Sequence, residues 1–591
     1  MGHLLSLCAL GQTALHVTKL PHTMLAATLV ASRRYRPWPW MQSRPRASLS
    51  GPGAVERTFD QLPPKRFGQL RVRPWLASAL RAAGYRDPTP VQAAVMERIS
   101  RHEDTVIHAE TGSGKTLGFL VPLLSRLDAG IPAQLLILVP SRELAMQTAS
   151  EVDRLLVPDS ELRTQLMVGG IVGAATAVQM PPSAPASSHD THGIAEVLIA
   201  TPHALARALG LGRTGRSLLD PATPPAASHA MALAIGAHLD ALVLDEVDAL
   251  LPKPVLNQKL GYYRQKDWAK GMRAGRRETR PGGSRSSIAA RLVQRILETV
   301  ATTRSATANP LVPRAAQASL ANTRVHMVAA SATVSRGLLM QLRALFSRTA
   351  VPAVVGASGR VHREPSGRAL GEATAGGRRG GGLPGSQIRR GSGQRGVAGV
   401  GLPRTITHRV LSLSAQDDPA AATCAALKSL QPQAALVVLP DEASVAAWAD
   451  SLRSAGASNV ELLHEAMGFT RRSGDGARKR RSTLAECLKA TQDVRRGIKR
   501  DPGADQSRVL VTTERSVRGI DLPGLDCVIL MYVPLTSDTY VHMAGRTGRS
   551  TTEGTALSII PADETKRLGL FSSQLAVSIK PWRPATSTAA L

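Results

Sequence analysis

The segment Ala109-Glu110-Thr111-Gly112-Ser113-Gly114-Lys115-Thr116 lies between an apolar run ending near His108 and a helical pattern. A glycine-bearing loop in that setting turns backbone N–H groups onto phosphates, and the N-terminus of the following helix adds positive potential. Lys115 would then reach the β- and γ-phosphates, and Thr116 would hold Mg²⁺. Ala109 stands where the general pattern opens on glycine. A second chemistry-bearing group, Asp245-Glu246-Val247-Asp248, follows the apolar run that ends at Leu244. A parallel strand delivers such residues to the carboxyl edge of its sheet, where ligands bind in open α/β folds. One carboxylate can hold Mg²⁺ while its neighbour orients an attacking water. Alone, an acidic cluster at a strand end commonly caps a helix. Paired with Lys115-Thr116, it reads as the second half of a nucleotide site.

Both groups need strands to carry them. Val106-Ile107, Leu135–Val139, Val197–Ile199, Ala241–Leu244 and Met327–Ala329 are short apolar runs that alternate with helical patterns, which predicts buried parallel strands. Alternation of this kind implies an α/β sheet covered on both faces. The order repeats after residue 404, in Leu436–Leu439, Val460–Leu463, Val509–Val511, Val528–Met531 and Ala556–Ile560. Two α/β domains are therefore expected, over 60–350 and 404–575, with a tail at 576–591. Only 3% of residues are aromatic, so the cores must rest on Leu, Val, Ile and Ala.

The formal net charge of +29 is concentrated. Residues 1–55, 259–291, 356–401 and 471–500 carry net charges of +6, +8, +6 and +8, so the scaffold outside them is nearly neutral. Such segments raise affinity for polyanions through phosphate contacts and counterion release. Residues 1–55 contain no acidic residue before Glu56 and hold Arg33, Arg34, Arg36, Arg44 and Arg46, the composition of an organellar transit peptide. A disordered nucleic-acid-binding arm is the competing reading. Residues 351–403 are expected to be a flexible connector, because 15 Gly and 8 Arg within 356–401 cannot bury a core. Breaks in composition at 171–195, 205–235 and 259–290 read as insertions into the first domain. Cys8, Cys424, Cys487 and Cys527 show no Cys-x-x-Cys spacing, which argues against a disulfide framework or cysteine zinc site. No apolar run approaches the roughly 20 residues of a membrane span, so no membrane partner is expected.

The ordered set of motifs resembles the DEAD-box RNA helicases. Gly84-Tyr85-Arg86-Asp87-Pro88-Thr89-Pro90-Val91-Gln92 is similar to the family's Q motif, with Phe67 standing 17 residues before Gly84. Residues 109–116 match motif I, Pro140-Ser141-Arg142-Glu143-Leu144-Ala145 motif Ia, Gly169-Gly170 the following glycine pair, and Ala200-Thr201-Pro202 motif Ib. Asp245–Asp248 matches motif II and Ser331-Ala332-Thr333 motif III. Leu463-His464 with Met467 resembles the segment after motif IV, which is itself barely recognisable around Leu436–Pro440. Thr513-Glu514 with Arg518-Gly519-Ile520-Asp521 resembles motif V, and Tyr540–Arg549 resembles motif VI.

The resemblance implies two tandem RecA-like domains joined by the Gly/Arg-rich linker, and an enzyme that couples ATP hydrolysis to local unwinding of RNA. By it, Phe67 stacks on adenine and Gln92 reads its edge. Gly112, Ser113, Gly114 and Lys115 cradle the phosphates, Thr116 and Asp245 hold Mg²⁺, Glu246 serves hydrolysis, and Asp521 meets the ribose. Phosphoryl transfer gains about 10³–10⁵-fold from an arginine supplied from outside the phosphate-binding domain, and Arg546 and Arg549 are the candidates. Asp248, Ser331, Thr333, Arg518 and His542 would couple the domains. Arg142, Gly170, Thr201 and Thr513 would contact the RNA backbone without reading its sequence.

Val247 stands where the family has Ala, at a packing position, and Ser141 keeps the hydroxyl of Thr. His203 replaces the start of a Gly-Arg pair, and Met543 replaces the first Arg of motif VI. The expected protein is a monomer acting on RNA, ribosomal or other ribonucleoprotein particles included, in an organelle, with the mitochondrion preferred to the chloroplast. An RNA-clamping assembly factor with a weak ATPase and a DNA-directed helicase of the same superfamily are the competing classes.

Overall fold

A computed structural model describes residues 65–110, 112–156, 160–168, 178–179, 193–211, 225–251, 287–306, 324–348, 352–362, 402–403, 405–471, 480–481, 484–496, 507–548 and 552–584. The expected leader, most of the Gly/Arg-rich connector and the basic insertion after Leu251 lie outside them.

Each expected strand forms. The first sheet has nine strands, in the spatial order Val361–His362, Ala353–Gly356, Thr105–His108, His326–Ser331, Ala241–Asp245, Leu135–Leu138, Val197–Ala200, Thr164–Met167 and Val178–Gln179. Its central pairings are parallel, and the pairings of its two outermost strands are antiparallel. The second sheet has seven strands, all parallel: Val460–Leu462, Arg508–Thr513, Ala434–Leu439, Cys527–Leu530, Gly554–Pro561, Ile406–Leu413 and Ile579–Pro581. Strands Thr105–His108, His326–Ser331, Ala241–Asp245, Leu135–Leu138, Val197–Ala200, Ala434–Leu439 and Cys527–Leu530 are buried throughout, because helices cover both faces of a parallel sheet. Their side chains are almost all Val, Leu, Ile and Ala, as the scarcity of aromatics requires.

Register aligns the functional ends. His108 pairs with Ser331 and Asp245 with Ala330, so the phosphate loop, the acidic group and Ser331 leave the sheet on one carboxyl edge. Helix Pro90–Ser100 starts at a capping box: Gln92 N donates to Thr89 Oγ1 at 3.4 Å, and Thr89 N donates to Gln92 Oε1 at 2.8 Å. Ser141 caps helix Arg142–Leu155 by accepting from Leu144 N. No described helix is long and apolar enough to cross a membrane.

Three expectations need correction. The first domain continues past residue 350, since Ala353–Gly356 pairs with Thr105–His108 and returns through Val361–His362. The second continues past 575, because Ile579–Pro581 pairs with Ile406–Leu413 at the sheet edge. Short edge strands take their conformation from a neighbour, so their own patterns are weak. Residues 205–235 are also not one unstructured insertion. Helix Pro202–Ala208 enters the stretch and helix Pro225–His238 closes it, the latter packing on helix Ile288–Ala306. Its Ala-rich sequence resembles a biased linker in composition, yet Ala is the strongest helix former.

Candidate functional site between the two domains

The phosphate loop is held in shape by its own polar groups. Lys115 is 7% exposed, and its ammonium donates to the carbonyls of Ala109 and Glu110 at 2.8 and 3.0 Å. Ser113 donates its hydroxyl to Glu110 O at 2.6 Å. Burial raises the Glu110 carboxyl above its ordinary range, with Lys115 opposing. Gln92 Nε2 donates to Gly114 O at 3.2 Å, and a Cβ on Gly114 would meet that nitrogen at 2.2 Å. Both ends of the Gln92 amide are thus committed, one to the capping box and one to the loop. Gln92 braces the phosphate loop, and its amide keeps one further N–H and one further lone pair for an adenine edge. Phe67 is 4% exposed and packed in the apolar core, which leaves little of its face for the expected stacking.

Strand Ala241–Asp245 ends at a strained residue: Glu246 has φ 50°, left-handed for a non-glycine side chain. Asp245 is 3% exposed and accepts from Glu246 N at 3.0 Å. Burial, then the charge of Glu246, raises its carboxyl to about 7, with Lys115 opposing. Asp245 and the Thr116 hydroxyl are oxygen donors, the set that Mg²⁺ takes, and a bound cation would remove the cost of ionising Asp245.

Asp248 collects partners from both domains. Its Oδ1 accepts from Ser331 Oγ at 2.7 Å, and its Oδ2 accepts from Thr333 Oγ1 at 2.9 Å. From the second domain, His542 Nε2 lies 3.1 Å and Arg518 Nη1 3.9 Å from Oδ2. Burial works against the Asp248 charge, but His542, the hydroxyls and Arg518 together hold the carboxyl well below the usual range. The other ring nitrogen of His542 is 3.6 Å from Glu246 Oε2, so one imidazole stands between two carboxylates of the first domain. Arg518 also donates to Glu514 and Thr539, at 2.6 and 2.9 Å. All five expected coupling residues therefore meet.

Sequence reasoning missed three further contacts. Gln147 donates to Asp521 O at 3.2 Å and accepts from Asp521 N at 2.9 Å, gripping the backbone of the expected ribose residue. Gly519 (φ +73°) fits against Glu246 and Leu144, where an added Cβ would lie 2.7 Å from a side-chain carbon of each. The Arg142 guanidinium sits 4.8 Å over the ring of Phe469 in the second domain. Gln147 had no distinct signal, being one of several buried polar residues on helix Arg142–Leu155. The other two have none without the partner domain in view.

Arg546 is held by backbone carbonyls of its own domain. It is fully buried, its Nε donates to His542 O at 2.8 Å, and its Nη1 donates to Ile520 O. The side chain ties motif VI to motif V. Arg549, Gly170 and Thr111 lie outside the described residues. Thr201 and Thr513 start helices Pro202–Ala208 and Glu514–Val517 without a side-chain cap bond, and both are half-buried. Val247 and Met543 are buried in apolar clusters, and His203 is exposed.

Residues 89–267 match the DEAD/DEAH box helicase family model, and residues 422–551 match the helicase conserved C-terminal domain. A rice (Oryza sativa subsp. japonica) DEAD-box ATP-dependent RNA helicase 47B is 38% identical over 118 residues, 18% of this chain and 21% of that protein. An Arabidopsis thaliana DEAD-box ATP-dependent RNA helicase 16 is 34% identical over 198 residues, 32% of this chain and 27% of that protein. The mitochondrial DEAD-box ATP-dependent RNA helicase 47 of Arabidopsis thaliana is 38% identical over 120 residues, 18% of this chain and 22% of that protein. The chain thus spans about a fifth to a quarter of the length of these curated relatives. Among solved structures, Mss116p bound to single-stranded RNA and AMP-PNP superposes with a TM-score of 0.50 at 16% identity, covering 87% of this chain and 78% of that one. The shared fold is two tandem RecA-like domains.

Two outcomes follow from this geometry. Gly519→Ala places a side chain in a left-handed, crowded position and should cost the closed arrangement about 1–3 kcal/mol. Fluorescence energy transfer between labels on the two domains would read this as a smaller closed population, and an unchanged population would refute the wedge. In the Mg²⁺-free protein, Asp245 holds a proton in the native state up to about pH 7 but releases it near its ordinary value of 3.8 when unfolded. The native state binds more protons across that window, so stability should fall as pH rises from about 4 to 7. Urea titrations should find the slope reduced in Asp245→Asn, and an identical slope would count against the buried-acid assignment.

Proposed function

We propose that this chain, which belongs to the DEAD-box helicases, is an RNA-stimulated ATPase that remodels RNA or locally unwinds it. The observation that carries the reading is Asp248: one carboxylate of the nucleotide domain is bonded at once to Ser331, Thr333, His542 and Arg518. The edge that carries the phosphate loop and Asp245 thus also carries the contact that joins the domains. ATP on the loop draws Lys115 from the Ala109 and Glu110 carbonyls toward the β- and γ-phosphates. Thr116 and Asp245 would hold Mg²⁺, which when bound would neutralise phosphate charge. Glu246, held in a strained conformation against His542, orients the attacking water. Arg546 and Arg549 are the motif VI arginines for the γ-phosphate, and Arg549 is the one that Ile520 O and His542 O do not engage. Arg142, Gly170, Thr201 and Thr513 take the RNA backbone across both domains, so that closure bends one strand away from its partner.

A slow ATPase acting as an RNA clamp is the second reading. It is favoured by Met543, buried where the family has an arginine, together with the inward turn of Arg546. The acid-poor first 55 residues and a matched relative that is mitochondrial by name support work in an organelle, the mitochondrion before the chloroplast, on ribosomal or other ribonucleoprotein particles and as a monomer.

Single-turnover hydrolysis beside equilibrium ATP binding, with matched RNA and DNA strands, tests the reading. RNA and not DNA should stimulate turnover. Arg549→Ala should lower it about 10³-fold with ATP affinity largely kept, and Lys115→Ala should lower both. Uniformly slow turnover with ATP-dependent RNA binding would select the clamp, and equal stimulation by DNA would overturn the substrate assignment.

A further inference from the structure

Tyr532 follows strand Cys527–Leu530 closely and takes no part in the steps described above. It is 6% exposed, and its ring belongs to the apolar core. Its hydroxyl donates to Glu514 Oε2 at 2.7 Å. Burial, then the Glu514 charge, pushes the phenol above its ordinary value, so the hydroxyl keeps the proton that it donates. A phenylalanine ring would fill the same place in the core. The hydroxyl serves the carboxylate.

Glu514 passes that hold on to Arg518. Its other oxygen, Oε1, accepts from Arg518 Nη2 at 2.6 Å, and the same nitrogen donates to Thr539 Oγ1 at 2.9 Å. Both bonds within the second domain are thus on Nη2, while Nη1 is the nitrogen 3.9 Å from Asp248 Oδ2. A carboxylate and a guanidinium with no other partners favour a two-pronged pairing, which would take Nη1 as well. With Oε2 engaged by Tyr532, Glu514 meets Arg518 through one oxygen and one nitrogen, and Nη1 is left to the other domain. Thr539 lies on helix Ser537–Ala544, which also carries His542. The two residues that the second domain sends to Asp248 therefore share one frame, and every bond in that frame is internal to the domain.

We propose that Tyr532 is a positioning residue for domain closure: through Glu514 it holds Arg518 with Nη1 presented to Asp248. The proposal rests on the closure reading given above. A free arginine samples many rotamers, and docking it onto a partner costs that freedom. Fixing the side chain beforehand removes the cost from the closing step. Tyr532 suits this task because its ring is immobilised in the core, so the rigidity of the sheet reaches the guanidinium through a single carboxylate. Tyr532 and Glu514 touch neither the phosphate loop nor Asp248, and they act on closure through Arg518 alone.

The test uses the full chain with ATP and a single-stranded RNA oligonucleotide, at a temperature where every variant is folded by circular dichroism. Tyr532→Phe removes the hydroxyl and keeps the ring. It should lower turnover at saturating ATP and RNA about tenfold, as loss of a hydrogen bond to a charged group does, and leave ATP affinity in the absence of RNA unchanged. Glu514→Asp keeps the charge but is too short to span both partners, and it should lose about as much turnover. The double variant should lose no more than either single one, because the groups act as a unit. Wild-type turnover in Tyr532→Phe overturns the proposal. A matching loss of ATP affinity overturns it too, since a general disturbance of the fold would move both, and so does a double variant in which the two losses multiply. Wild-type protein whose turnover RNA leaves unchanged would overturn the underlying reading, and this proposal with it.

Discussion

A buried carboxylate survives only when its charge is matched, and Asp248 is matched from two sides. The hydroxyls of Ser331 and Thr333 supply half of its coordination from within the nucleotide domain, and His542 with Arg518 supply the other half from across the seam. Withdrawal of the second domain would leave Asp248 with hydroxyl partners alone. Under the proposed mechanism, that asymmetry would couple the compensation of the Asp248 charge to closure of the domains.

The rest of the architecture brings residues to that point. Parallel register gathers the phosphate loop, Asp245 and Ser331 on one carboxyl edge, and short turns lead from those strand ends into the helices of the first domain. Gly519 lets the second domain approach Glu246 and Leu144 closely, and Gln147 holds the backbone of Asp521. Arg546, fully buried, keeps motifs V and VI in fixed relation, so that Gly519, Asp521 and His542 arrive together. Closure is thus carried by several small contacts around a single charged centre.

Much of this was legible in the sequence. The inner strands were readable because burial on both faces leaves runs of Val, Ile and Leu, and the motif residues because their types and spacing constrain the chemistry. What was not legible depends on partners distant in the chain. Ala353–Gly356 and Ile579–Pro581 are strands through their neighbours, not through their own patterns. Helix Pro225–His238 hid behind a composition that suits a linker as well as a helix. Among site residues, Asp248, His542, Ser331 and Thr333 met as expected. The burial of Arg546 against carbonyls of its own domain was not legible, since an arginine in a basic run gives no sign of such partners. The helix-capping part of Gln92 was implicit in the Thr89-x-x-Gln92 spacing, and its bond to Gly114 was not.

A double-mutant cycle between Asp248 and His542 tests the central claim most directly. Interdomain closure with ATP analogue and RNA would be measured for the wild type, Asp248→Asn, His542→Ala and the double variant. If the two side chains form the bond on which closure depends, the cycle should return a coupling of about 1–3 kcal/mol, the double variant losing much less than the two single losses combined. Strict additivity would contradict the account and move the origin of closure elsewhere on the seam.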